Sequence, residues 1–158
     1  MKGLLSVICL LALCLSGCGG GRVTKAPEEI AQEVLADLQG AEFTPCDDDY
    51  VENSFAFDEA PRDCALYFGN EFGLEFGIFA FQDNATARRE AGKIEEYLAR
   101  EEASVRDLAA LYPAAELSAR LDRYAGASVR IKGNTVAYFL LSETDRTAAE
   151  AAFVRTAR

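Results

Sequence analysis

Hydrophobic positions along this 158-residue chain recur at helical spacing in some stretches and alternate in others. Ile30, Val34, Leu35 and Leu38 form the first helical set, opened by Pro27-Glu28-Glu29 and stopped by Gly40. Proline suits a first helical turn, and acids suit its positive dipole end. A longer stripe follows at Ala87, Ala91, Ile94, Leu98, Val105, Leu108 and Tyr112, with Asp83 or Asn84 as its cap. Glu101 interrupts the stripe and alanines thin it, so it reads as one helix on a sheet rather than a coiled-coil seam. The pairs Glu96/Arg100 and Glu102/Arg106 add four-apart support, and Ser104 with Asp107 marks a break and restart. Pro113 opens a short helix through Leu121, and Asp145 caps a last helix carrying Ala148, Ala152 and Phe153.

Two hairpins lie between these helices. Cys64 to Phe68 turns at Gly69-Asn70-Glu71 and returns from Phe72 to Gln82. Phe72, Leu74, Phe76, Ile78 and Ala80 share one face of the return strand; Gly73, Glu75, Gly77, Phe79 and Phe81 share the other. A strand apolar on both sides belongs in the middle of a sheet. Gly73 and Gly77 mark a place where a helix backbone or another chain approaches closely. The second hairpin runs from Tyr124 to Ser142 with Lys132-Gly133-Asn134 at its turn. The stretch from Ala41 to Asp63 has no period; Val51, Phe55 and Phe57 are its core plugs, and Asp58 to Pro61 is a turn. The prediction is one α+β domain over 27–158, in the order α-ββα-α-ββα. Its antiparallel sheet has about four strands in two hairpins, with helices mainly on one face.

The N-terminus follows a different logic. Lys2 precedes an apolar run from Leu4 to Leu15, and Leu15-Ser16-Gly17-Cys18 closes it. The run is shorter than the ~20 residues a membrane-spanning helix needs, so residues 1–17 read as a signal peptide. The four-residue ending resembles the lipobox of bacterial lipoproteins, which implies cleavage before Cys18 and a diacylglyceryl group on its thiol. Burial of acyl chains contributes ~0.8 kcal/mol per CH₂, so two or three chains make a stable anchor. No other cofactor is expected. Residues 18–26 read as a lipid-anchored flexible tether reaching about 30 Å.

The formal net charge is −10, and loss of Lys2 with the leader makes it one unit more negative. Such a surface excludes nucleic acid as a partner and is repelled by anionic lipid, apart from Arg22 and Lys25 beside the head groups. Of the five cysteines, Cys9 and Cys14 leave with the leader and Cys18 takes the lipid. Cys46 and Cys64 remain, an even pair outside the cytoplasm, and read as a disulfide. Between them lie Asp47, Asp48, Asp49, Glu52, Asp58, Glu59 and Asp63, weak candidates for a hard cation. A twelve-residue calcium loop from Asp47 would need glycine where Glu52 stands and glutamate where Asp58 stands, so that template fails. The bland reading is a solvated loop.

Glu75, between glycines and phenylalanines, is costly to bury unless paired. Arg130 from a neighbouring strand is the expected partner, and a ligand-binding role for Glu75 with Gly73 and Gly77 is the alternative. The chain has no histidine, and its serines have neither a base nor a glycine elbow. Phosphate loops, zinc spacings and dinucleotide fingerprints are missing as well. The expectation is a protein that is not an enzyme.

Several segments together resemble a family of small lipoproteins of Gram-positive, often gut-dwelling bacteria, known as a domain of unknown function. They are the Glu28-to-Leu38 helix, Glu75-Phe76-Gly77-Ile78-Phe79, the helix from Ala85, Leu111-Tyr112-Pro113-Ala114-Ala115-Glu116-Leu117 and Gly133-Asn134-Thr135-Val136. They span roughly residues 27–153; the cysteine pair and the acidic loop depart from the pattern. The resemblance implies a lipid-anchored domain on the extracytoplasmic face of the cell membrane and no activity. In a host with an outer membrane, Gly19 after the cysteine argues against inner-membrane retention. The expected role is a non-catalytic binding or accessory module with an envelope protein partner. A small-solute-binding or transport-accessory lipoprotein comes second, and a cell-envelope hydrolase third.

Overall fold

Ten elements make up the computed structural model, which describes residues 21–38, 41–46, 48–71 and 73–158. In order they are α1 (Pro27–Asp37), β1 (Phe43–Pro45), α2 (Asp48–Ser54), β2 (Asp63–Gly69), β3 (Glu75–Ala80), α3 (Asn84–Leu111), α4 (Ala115–Ala125), β4 (Ser128–Lys132), β5 (Thr135–Leu140) and α5 (Glu143–Thr156). The strands form one antiparallel sheet of order β1-β2-β3-β5-β4. The α+β class and both hairpins are as the hydrophobic pattern predicts, except that α4 continues to Ala125, so the second hairpin begins at Ser128 rather than Tyr124. The fifth strand, β1, and the short helix α2 come from the stretch that shows no period.

β3 sits at the centre and its alternation is as predicted. Leu74, Phe76 and Ile78 face a layer built by α1 and α5, while Phe79 and Phe81 face α2, α3 and α4. Helices therefore cover both faces of the sheet rather than mainly one. The physical reason lies in the second face: Phe79, Phe81, Tyr138 and Leu140 make it as apolar as the first, so it needs a cover of its own. α1 is held to β2 by polar contacts too. Tyr67 Oη donates to Glu28 Oε1 at 2.6 Å, and burial together with the Glu28 carboxylate pushes its pKa up to about 12.

α3 is one unbroken helix of 28 residues, so Ser104 with Asp107 marks no break. The Ser104 hydroxyl points back to the Arg100 carbonyl at 3.1 Å instead of restarting the chain. Asp83 is the cap, accepting the Thr86 N–H at 2.8 Å. The predicted stripe is buried from Ala87 to Val105 and then leaves the body, with Leu108, Leu111 and Tyr112 exposed. Of the two expected i,i+4 pairs, Glu102–Arg106 forms. Arg100 instead meets Glu101 at 3.5 Å and donates to the Ser54 carbonyl at 2.9 Å, because α2 lies alongside. The cap of α5 is Ser142, which accepts from the Asp145 N–H at 3.3 Å; Asp145 lies within the helix.

The segment before α1 is docked from Val23 onward. Val23 is only 6 % exposed, its side chain in the α1–α5 layer. Its N–H donates to Asn134 Oδ1 at 2.8 Å, and Asn134 Nδ2 donates to the Phe81 carbonyl at 3.1 Å. Thr24 donates its N–H to the Arg158 carbonyl at 3.1 Å. Gly133 turns the β4–β5 hairpin at φ +56°, and a Cβ there would strike the Gly21 carbonyl oxygen. Glycine is thus required twice over, by the left-handed backbone and by the strap against it.

Candidate functional site

Glu75 opens β3 on the face turned toward α3 and is 5 % exposed. Its Oε1 accepts two phenolic hydrogen bonds, from Tyr138 on β5 at 2.9 Å and from Tyr97 on α3 at 3.0 Å. Tyr50 on α2 extends the group, its Oη lying 3.4 Å from that of Tyr97. Desolvation raises the Glu75 pKa above the ordinary carboxylate value and outweighs the two phenols and the nearby Arg120 charge, which lower it; Glu101 adds to the rise. Burial also lifts Tyr97 and Tyr138, and the neighbouring Glu75 charge lifts them further. The cluster is therefore a hydrogen-bonded network in a low-dielectric layer, with two hydroxyls committed to one carboxyl oxygen.

The two glycines beside Glu75 serve this network. A Cβ on Gly77 would lie 2.6 Å from the Tyr138 ring, so glycine is what lets that ring lie over β3 and reach Glu75. Gly73 has φ +83°, and a Cβ there would lie 2.7 Å from the Arg120 side chain. The expected close approach is real; it is made by side chains of β5 and α4 rather than by a helix backbone or another chain. Arg120 also donates to Tyr124 Oη at 3.2 Å and lies over that ring.

Arg130 is not the partner of Glu75. It stands opposite Ala137 on the α5 side of the sheet and binds Glu150 at 2.6 Å. β5 separates β4 from β3, and Glu75 points to the other face. A single strand pattern does not show that hydroxyls from two remote elements can replace a cation. A second buried carboxylate, Glu90 on α3, has no such strand signal and escapes sequence reading. It is 0 % exposed, accepts the Asp58 N–H at 2.9 Å and takes Arg89 Nε at 2.9 Å.

The segment between the cysteines wraps onto the α3 side of the sheet. Asp58 and Glu59 are engaged by cations of α3, Lys93 at 3.7 Å and Arg89 at 2.7 Å. Among the described residues, no group of acids and thiols is placed to hold a metal ion. Asp47 and the side chains of Asp48, Asp49 and Glu52 lie outside the described residues. Val51 and Phe55 are buried in the core, as the pattern predicts. With Phe57, Pro61, Arg62 and Cys64 they line a cleft of about 370 Å³. That volume lies at the small end of ligand-binding pockets.

Cys46 and Cys64 are half-buried on this same face, and the structure contains no disulfide between them. The Cys46 N–H donates to the Leu66 carbonyl at 2.8 Å, which sets the two cysteines on adjacent chain segments, two residues out of register. Cys18 lies outside the described residues. No described helix is long and apolar enough to cross a membrane. Compared with models of protein families, with curated proteins and with solved structures, the chain finds no match in any of the three.

Proposed function

We propose that this chain is a lipid-anchored, extracytoplasmic domain that works without catalysis, as a binding or accessory module at the cell surface. The observation that carries this reading is Leu15-Ser16-Gly17-Cys18 after a short apolar run, with the chain stitched to the folded body from Val23 onward. Acylation of Cys18 supplies the membrane partner and needs no other cofactor. The resemblance to small Gram-positive lipoproteins agrees with this placement. Against catalysis stand the absence of histidine from the sequence and the engagement of Glu75 by two phenols.

Both sheet faces carry helices, so a protein partner would meet a sheet edge or the helical surface. A small-solute role, the second reading, is favoured by the cleft beside Phe55, Phe57 and Arg62 rather than by Glu75, which has little exposed surface to offer. Cell fractionation with a high-salt wash, which strips purely electrostatic contacts, tests the anchor: Cys18→Ala should move the protein from the membrane to the soluble fraction. Retention of that variant in membranes would overturn the reading.

A further inference from the structure

The strap that joins the anchor to the fold also decides which end of the domain meets the lipid. Gly21 lies against Gly133, Val23 is bonded to Asn134 and Thr24 to Arg158. Only Gly19 and Gly20 lie between Cys18 and Gly21, a link of about 10 Å over three residue steps when fully extended. The β4–β5 turn and the end of α5 are thereby confined to the layer just above the acylated cysteine.

That end of the molecule has a composition unlike the rest. Arg22 and Lys25 lie on the strap, Lys132 precedes the turn glycine, and Arg155 and Arg158 lie at the end of α5. Lys25, Arg155 and Arg158 line one shallow concavity together with Glu33. Arg155 is balanced by Asp37 at 2.9 Å, while Lys132 bonds the Val154 carbonyl and, among the described residues, no carboxylate. On the strap, the turn and the end of α5 these five basic groups face the carboxylates of Glu33 and Asp37, while the exposed Asp63 and Asp83 stand at the same end of the sheet, on a chain whose formal net charge is −10. An anionic surface attracts this end and repels the remainder, so the field and the short link favour the same orientation.

Resting on the anchored reading above, we infer that the face bearing Arg22, Lys25, Lys132 and Arg158 is a binding surface for anionic lipid headgroups of the membrane that holds Cys18. The source is the membrane rather than a wall polymer because the link reaches no further than the headgroup layer. Each Lys or Arg at an anionic leaflet adds severalfold to partitioning, and three together are worth on the order of a hundredfold.

The test uses the full mature chain carrying Cys18→Ser, so that no acyl group masks the weaker contact. Its co-sedimentation is measured with vesicles of phosphatidylcholine containing about a third phosphatidylglycerol, a composition chosen so that several basic groups find anionic partners. Controls are phosphatidylcholine alone and a soluble teichoic-acid-type polyanion. The expected result is binding to the anionic vesicles, weakened by salt and reduced on the order of a hundredfold in Arg22→Gln/Lys25→Gln/Arg158→Gln. All three side chains are exposed, so that variant should fold; its far-UV circular dichroism and Tm check this. Equal binding by the variant, no preference for the anionic vesicles, or binding to the polyanion alone would overturn the inference. Each of these results leaves the fractionation of Cys18→Ala untouched, so the two readings fail separately.

Discussion

Tyr138 reaches across Gly77 to place its hydroxyl 2.9 Å from Glu75 Oε1, on a strand pair where residues 77 and 138 stand directly opposite one another. The phenol, the glycine and the acid form one unit: the absent side chain makes room for the ring, and the ring carries the hydrogen bond that the acid needs.

The Glu75 carboxyl has a raised pKa in the folded chain, so the fold binds its proton more tightly than the unfolded chain does. Its stabilising contribution is complete below the ordinary glutamate value near 4.5 and is lost as pH rises through the raised folded value. Glu75→Gln should remove that loss. Urea midpoints measured from below the ordinary glutamate value near 4.5 up to neutral pH should fall with pH more steeply in wild type than in the variant. The variant should have the higher urea midpoint at neutral pH, where the buried carboxylate would otherwise carry charge. Parallel pH profiles would refute the account.

Gly77→Ala places a methyl group against Tyr138 and should cost about 1–3 kcal/mol by overpacking. Tyr138→Phe alone should cost about 1 kcal/mol for the lost hydrogen bond to Glu75. Because both act on one ring, their effects should be non-additive in a double-mutant cycle read by chemical denaturation. Additivity within error would separate the glycine from the network.

Asn134→Ala removes two buried hydrogen bonds, one to the strap at Val23 and one to the Phe81 carbonyl. A global loss of about 1–3 kcal/mol is expected. The specific signature is faster amide exchange at Val23 and Thr24, since the strap loses its register on the β4–β5 turn. Unchanged protection there would show that Val23 burial alone holds the segment.

Cys46 and Cys64 lie on one face as diagonal neighbours, a separation of ~7–8 Å that a small shift at the end of β1 converts to bridging distance. Protein matured under oxidising conditions should resist alkylation at both thiols until reduced, as read by intact mass. Cys46→Ser/Cys64→Ser should then lower stability by ~3 kcal/mol relative to the oxidised form. Full alkylation without reduction would show that the pair stays reduced.

Period-bearing elements were legible because their signals are local. The alternation in β3 placed it centrally and assigned each residue to its face, while the four-three stripe of α3 located its buried side as far as Val105. β1 is three residues ending in Pro45, too short to alternate. α2 combines Asp48, Asp49, Asn53 and Ser54, weak helix formers, and exists because Val51 and Phe55 plug the core. The carboxylate at Glu75 was conspicuous among apolar neighbours, whereas its partners were not. Tyr97 lies off the predicted stripe, and Tyr138 reads as an ordinary strand residue until β3 and β5 are set side by side. Glu90 resembles any helix-surface acid, because nothing in α3 announces that the loop at Asp58 folds over it.

The length of α3 bears on what the outside world meets. Its 28 residues rise about 42 Å, roughly twice the run of the six-residue strand β3. It begins just after Phe81, whose N–H is bonded to the Asn134 carbonyl, and passes Glu75 at Tyr97, halfway along. α3 therefore starts at the strap end of the sheet and is long enough to run past the other end. Leu111 and Tyr112, 73 % and 66 % exposed, lie at its far end, an apolar pair offered to whatever approaches the domain from that side.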